Sequence, residues 1–327
     1  MKAFVTGATG FIGSNLINRL IKDGWDIKIL VRPKSINKIL NNPKLKVIQG
    51  DITNLDDVKR GMQGTEIVFN VAGGLPNHKL SDQGYLDINV TGVKNILESC
   101  NEFKIKRLIH VSTVGIYGSG KNIITETSPL RLVDQYAKTK SKAEELIRTY
   151  REKFNLPVVI IRPTIGFGPR DTRPGFIDLF RLVNKGLYFP IGNGENYFHV
   201  FYIENLIDAL MLAATKKEAI GEDFIIGDYP VPKMKDVIKN IYQVEGKKFP
   251  KIYIPFYLAF LAAHFFDIAQ KIGLPAPLTS KRLTFITEDR RYDISKATKV
   301  LGYKSKVSLS EGVKRTYEWY KQNGYLS

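Results

Sequence analysis

The stretch Lys2-Ala-Phe-Val-Thr6-Gly7-Ala8-Thr9-Gly10-Phe11-Ile12-Gly13 limits the fold more than any other part of the chain. A short apolar run passes straight into glycines spaced three apart, and these open an amphipathic helical pattern over 11–23. Such glycines allow a tight turn, close approach of backbone to a pyrophosphate, and close packing of helix on strand. The helix N-terminus then offers unpaired N–H groups to phosphate. Alone the glycine pattern says little; between a strand and a helix it predicts a dinucleotide site at Gly7, Thr9, Gly10, Phe11, Ile12 and Gly13.

The rest of the first half repeats that alternation. Strands are predicted at 2–6, 26–31, 45–49, 66–71, 107–112 and 157–161, with helical patterns at 11–23, 54–62, 84–103 and 134–154. Strands and helices in this rhythm require a parallel sheet covered on both faces. After Pro163 the texture becomes richer in Gly, Pro and aromatic residues, although Gly221–Gly227 reads as one more buried strand. A last helix over about 310–322 is announced by Ser308-Leu-Ser310-Glu311. The expected fold is α/β, a doubly wound Rossmann sheet with a smaller, interleaved C-terminal substrate domain. The first domain takes 1–166 plus about 200–227, the second about 167–199 and 228–327.

Composition narrows the partners. With 49 Lys and Arg against 32 Asp and Glu, a formal charge of +17 favours anionic ligands. The basic residues are spread along the chain and no nucleic-acid-binding motif stands out, so a nucleic-acid partner is not expected. Four histidines and one cysteine without metal-ligand spacing argue against a protein-held metal. The lone Cys100, and an N-terminus that enters a strand at once, fit a reducing cytoplasm without a signal peptide.

An acidic residue that would grip the ribose of NAD is expected at the end of the second strand. Val31-Arg32-Pro33-Lys34 stands there instead. Arg32, with Lys34 as a second cation, suits a 2′-phosphate, so NADP is the preferred cofactor and NAD the alternative. Asp51 and Ile52 close the third strand, Asp51 serving either the adenine amino group or a local turn. Val71, Ala72 and Gly73 close the fourth strand and leave room for the dinucleotide.

A tyrosine four residues before a lysine is a candidate acid–base pair, yet the spacing occurs five times: Tyr117/Lys121, Tyr136/Lys140, Tyr229/Lys233, Tyr292/Lys296 and Tyr317/Lys321. Gly118 and Gly120 break the first as a helical turn, and prolines break the third. The last two lack a hydroxyl-bearing strand end at a suitable distance before them. Tyr136/Lys140 opens a long helical pattern 23 residues after Thr113, itself at the end of the fifth strand. One helix face carries both side chains. A free phenol titrates near pH ~10, and lowering it by about 3 units takes roughly 4 kcal/mol. One ammonium about 4 Å away, at an effective dielectric of about 20, supplies roughly that amount, helped by the charge on an oxidised nicotinamide. Tyr136 is therefore expected to move the proton, Lys140 to tune it, and the hydroxyl of Thr113 or Ser112 to hold the substrate oxygen. Gly115–Lys121 imitates a phosphate-binding loop, but Asn122 stands where Ser or Thr would reach magnesium.

With TGATGFIG, GDI, NVAGG, INVTGVKNIL, STVGIYG, YAKTK and RPTIGFGPR in this order, the whole chain resembles the extended short-chain dehydrogenase/reductase family. The resemblance implies catalysis by Thr113, Tyr136 and Lys140, with Lys140 also holding the nicotinamide ribose. It implies support from Ser112 and Asn89, and a nicotinamide lined by Pro163. It also implies a homodimer built on the helices at 84–103 and 134–154. Val114-Gly115 replaces the Asp-Glu pair of the family's sugar dehydratases, so dehydration is not expected. The stretch 194–205 and the C-terminal DISKATKVLGYKSKVSLSEGVKRTYEWY are most similar to the 3β-hydroxysteroid dehydrogenase-like branch. Arg170, Arg173 or Arg181 would still grip a diphosphate in a nucleotide-sugar epimerase.

Ile252–Phe266, IYIPFYLAFLAAHFF, is apolar but shorter than the ~20 residues that cross a bilayer. It reads either as a helix buried over the substrate pocket or, flanked by Lys247, Lys248, Lys251 and Lys271, as a segment (252–274) resting on a membrane surface. The sequence thus predicts an oxidoreductase moving hydride between a nicotinamide and a secondary alcohol or ketone on a small, hydrophobic substrate. The alternatives are a UDP-sugar 4-epimerase with tightly bound NAD and a non-catalytic cofactor-binding regulator. The loop 75–83 and residues 168–200 are expected to shape the pocket but carry no readable code for its substrate.

Overall fold

The computed structural model describes residues 1–38, 42–78, 80–271, 273–274, 276 and 278–326. Lys79 in the expected pocket loop and Ile272 in the apolar segment lie outside the described residues. The first half runs β1 (Lys2–Thr6), α1 (Phe11–Lys22), β2 (Asp26–Val31), β3 (Leu45–Gln49), α2 (Leu55–Met62) and β4 (Ile67–Asn70). There follow α3 (Asp82–Leu86), a π-helical turn (Asp87–Thr91), α4 (Gly92–Glu102), β5 (Arg107–Val111), α5 (Gln135–Phe154) and β6 (Val158–Pro163). Beyond lie β7 (Ile165–Phe167), α6 (Phe176–Asn184), β8 (Val200–Tyr202), α7 (Ile203–Thr215), β9 (Asp223–Ile226), α8 (Met234–Val244), α9 (Phe256–Lys271), α10 (Ser280–Thr287) and α11 (Leu309–Gln322).

Seven strands form one parallel sheet in the order β3-β2-β1-β4-β5-β6-β9. Alternate residues of each strand serve opposite faces. Ala3 and Val5 of β1, with Ile109 of β5 and Ile161 of β6, pack against Leu16 and Ile17 of α1 and Leu206 and Leu210 of α7. Phe4, Val68, Leu108 and Ile160 point the other way, onto Met62 of α2, Ile96 and Leu97 of α4, and Ile147 of α5. The strand order reverses between β1 and β4, so loops at the carboxyl ends of these strands part there and leave a crevice.

Local signals set where the helices start and stop. Asp134 caps α5 by accepting from the N–H of Ala137 at 2.9 Å, and Asn155 ends the helix in a left-handed turn. Ser308 caps α11 through the N–H of Glu311. By contrast, Gly10 starts α1 with no side-chain cap, which leaves the first turn's N–H groups directed at the crevice.

The region after Pro163 differs most from the expectation. Two three-residue strands, β7 and β8, pair in parallel as a separate small sheet. Helix α9 is not buried over the substrate pocket: its small residues Ala259, Ala263 and Ala269 face the protein while its large apolar side chains face outward.

Candidate active site

A cleft of about 640 Å³ runs along the carboxyl ends of the central strands. At its floor the glycine turn leaves no space for side chains. A Cβ on Gly7, which has φ of +71°, would lie 2.7 Å from the Ala72 nitrogen, and one on Gly13 would lie 2.1 Å from the Gly7 carbonyl oxygen. Backbone and helix N-terminus thus stand open to a pyrophosphate. Thr9, Gly10, Phe11 and Ile12 line the same floor, with Asp51, Ile52, Val71, Ala72, Gly73 and Pro163 around it. Arg32 and Lys34 are exposed at one end of the cleft. Asp51 Oδ1 accepts from both the N–H and the hydroxyl of Thr53, so part of this carboxylate serves the local turn. These residues fit a nicotinamide dinucleotide, which when bound supplies a hydride acceptor or donor at its ring.

Ser112, Thr113, Tyr136 and Lys140 border the other end of the cleft. Thr113 Oγ1 accepts from the Gly115 N–H at 2.9 Å, and the Tyr136 ring lies beside it over Gly115. Ser112 is turned away from that pair: its hydroxyl donates to Glu144 at 2.6 Å. Asn89 does not line the cleft. The π-helical turn sets its buried amide so that Oδ1 accepts from Gly74 N at 2.7 Å and Nδ2 donates to Thr139 Oγ1 at 3.1 Å. It ties the loop after β4 to the helix that carries Tyr136 and Lys140.

The electrostatics depart from the expected tuning. Burial pushes the Tyr136 phenol up to about 12, and the influences opposing it are the neighbouring Thr113 hydroxyl and the charge of Arg173. Lys140 is itself desolvated, its ammonium lowered to about 8, with Glu144 working against the fall. Its Nζ donates to the Val111 carbonyl at 2.7 Å and lies 3.4 Å from His110 Nε2. His110 is held neutral by burial and by the Lys140 charge. Its Nδ1 meets Asn70 Nδ2 at 3.1 Å, and Asn70 Oδ1 accepts from Thr6 at 2.7 Å. A buried polar row, Thr6–Asn70–His110–Lys140, therefore crosses β1, β4 and β5 beneath the cleft. Asn70 and His110 escaped the sequence reading; the available signal was a polar residue inside an otherwise apolar strand.

Of the three candidate diphosphate-binding arginines, Arg170 and Arg173 line the cleft, whereas Arg181 stands on α6 beside Asp178. Arg173 lies over the Phe11 ring at 4.6 Å and is held in a fork by Asp171, at 2.6 and 2.9 Å. The Asp171 carbonyl in turn accepts from Tyr320 of α11. Arg170 occupies a left-handed backbone conformation, φ +71°, which is uncommon for a residue with a side chain.

A hydroxyl–phenol pair and a buried lysine, set over a glycine-lined crevice at the reversal of a parallel sheet, define a dinucleotide-dependent Rossmann enzyme. Residues 3–227 match the NAD dependent epimerase/dehydratase family, and the chain belongs to that family, an extended short-chain dehydrogenase/reductase of oxidoreductase or epimerase type. The mouse sterol-4-alpha-carboxylate 3-dehydrogenase (decarboxylating) is 28% identical, with 97% of this chain and 90% of the relative covered. The N-acetyl-alpha-D-glucosaminyl-diphospho-ditrans,octacis-undecaprenol 4-epimerase of Escherichia coli O157:H7 is 29% identical, with 96% and 93% covered. The crystal structure of UDP-glucuronic acid 4-epimerase from Bacillus cereus in complex with NAD superposes with a TM-score of 0.78 at 27% identity, covering 99% of each chain.

Proposed function

We propose that this enzyme is an NADP-preferring dehydrogenase or reductase acting on a secondary alcohol or ketone within a largely apolar molecule. The observation that carries the reading is the Thr113–Tyr136 hydroxyl pair at the glycine-lined cleft. In ketone reduction Tyr136, protonated at neutral pH, gives its proton to the substrate oxygen while Thr113 holds that oxygen in place. In oxidation the proton returns to Tyr136 as the phenolate. Lys140 would hold the nicotinamide ribose, and Asn89 and Ser112 act as positioning residues behind it. Arg32 and Lys34, exposed where an acidic clamp is missing, support the preference for the 2′-phosphorylated cofactor. A sterol and an undecaprenol, carried by substrates of two relatives, are both large and apolar. Leu75, Leu80, Ile88 and Phe201 on the cleft wall suit such a molecule.

Arg170 and Arg173 in the same cleft favour a second reading, 4-epimerisation of a diphosphate-linked sugar. Fluorescence titration with NADPH and NADH, followed by ketones, hydroxysteroids and UDP-sugars under the preferred cofactor, separates the two. Consumption of NADPH with a ketone is expected. Turnover of a UDP-sugar with no added cofactor, by protein that purifies with nicotinamide bound, would replace the first reading with the second. The homodimer implied by the family resemblance would pack α4 and α5 of two copies, and sedimentation equilibrium tests it.

A further inference from the structure

Helix α9 has the reverse of the pattern expected for a helix on a water-facing surface. Such a helix buries its large apolar stripe and exposes polar residues. In α9 the buried residues include Ala259 and Ala263, while Leu261, Phe265 and Ile268 are 64%, 68% and 64% exposed. With about 100° per residue, the exposed positions from Phe256 to Ile268 sweep about 200° of the helix. The patch extends beyond the helix. Ile254 bonds through its backbone to Pro190 and Gly192, which brings exposed Leu187 and Phe189 beside exposed Ile252 and Tyr253. A contiguous apolar face of this kind marks an interaction surface.

Its charged border indicates what it meets. Between residues 246 and 287 stand Lys247, Lys248, Lys251, Lys271, Lys281 and Arg282, against Asp267 alone. Lys248, Lys251, Lys271 and Lys281 are exposed around the apolar face, and Asp267 is engaged with the N–H of Ser280. A second copy docking there would bring two cationic borders together, whereas anionic lipid headgroups above an acyl layer match both features at once. No helix among the described residues is long and apolar enough to cross a membrane, and the 16 residues of α9 span about 24 Å. We propose that α9, with the loop at 187–189 and residues 252–253, is a membrane-docking face that lies in the interface of an anionic bilayer leaflet without spanning it. Lys281 at the start of α10 pairs with Asp134, the cap of the helix bearing Tyr136, so this face adjoins the candidate active site. Docking there would let an amphiphilic substrate pass from the leaflet to the cleft. The surface stands independently of which reaction the cleft performs.

The test is flotation of the full-length protein with vesicles of phosphatidylcholine alone or with about one-third phosphatidylglycerol. Co-flotation with the anionic vesicles is expected. A Leu261→Ser/Phe265→Ser/Ile268→Ser variant should lose it at least ~tenfold while keeping the wild-type melting curve, because those side chains support no core. Lys248→Glu/Lys251→Glu/Lys271→Glu should weaken binding to anionic vesicles by about tenfold or more. The proposal is overturned if wild-type protein stays unbound at every composition, or if the serine variant binds as well as wild type. It is equally overturned if the serine variant abolishes a concentration-dependent dimer in place of vesicle binding.

Discussion

Glu144 and Lys140 lie one turn apart on the buried side of α5, and their surroundings are opposite. Glu144 accepts from Arg162 through both carboxylate oxygens, at 2.9 and 2.6 Å, and also from Ser112 and Arg148. Arg162 reaches on to Asp223 of β9 at 2.7 Å and to the Tyr117 hydroxyl at 2.9 Å. This network bolts β5, β6, β9 and α5 together with its charges neutralised. Lys140 has a carbonyl and a neutral imidazole for company, and its affinity for a proton falls accordingly. Saturated charge makes scaffold; Lys140 is a desolvated charge at the cleft with no carboxylate in hydrogen-bond contact among the described residues.

Breaking the scaffold side should give the largest effect. Arg162→Met leaves the buried Glu144 carboxylate without its main partner, takes one cation from half-buried Asp223, and should cost about 3–5 kcal/mol in urea unfolding. Tyr136→Phe should do the reverse, lowering turnover of a confirmed substrate about a thousandfold, near 4 kcal/mol, with the unfolding midpoint unchanged. A midpoint drop in that variant would place Tyr136 with the scaffold.

Lys140→Met sharpens the contrast through pH. The folded-state value near 8 lies below the ordinary 10.5, so the unfolded chain holds a proton on this lysine between those pH values that the native chain does not. Wild-type stability therefore gains up to about 3 kcal/mol as pH rises from 8 to 10.5, and the variant lacks that gain. The stability of the variant relative to wild type should be greatest below pH 8 and shrink toward pH 10.5, measured by paired urea titrations. Arg32→Glu should reduce discrimination for NADPH over NADH by about 30-fold, roughly 2 kcal/mol, in direct binding. The smallest effect is expected from Arg173→Met. Losing that charge raises the phenol further, so the pH profile of alcohol oxidation should move to higher pH.

The same contrast explains what could be read before the structure was known. Strands β1 to β6 were legible because each is an apolar run closed by a turn, and the glycine spacing at 7–13 fixed the cleft's floor. Thr113, Tyr136 and Lys140 could be proposed together because a strand end and a helix start carry them. Strands β7 and β8 were not legible: three residues, Ile165–Phe167 and Val200–Tyr202, are too few to show a period. Helix α7 carries Glu204, Asp208 and Thr215 along one narrow line, so its wide apolar face gives a weaker helical signal than a half-buried helix. Without the charge of a bound nicotinamide the Tyr136 phenol lies high, because helical spacing places two side chains on one face but does not say where an ammonium will turn. The Val111 carbonyl, remote in sequence, decides that.

The hydrogen bond from Tyr320 to the Asp171 carbonyl makes the end of the chain a latch on its opening motif. Asp171 grips Arg173, and Arg173 caps Phe11 in the glycine turn. A protease that clipped the chain ahead of α11 would remove no residue that borders the cleft, yet it would unfasten the loop that presents the guanidinium to the phenol.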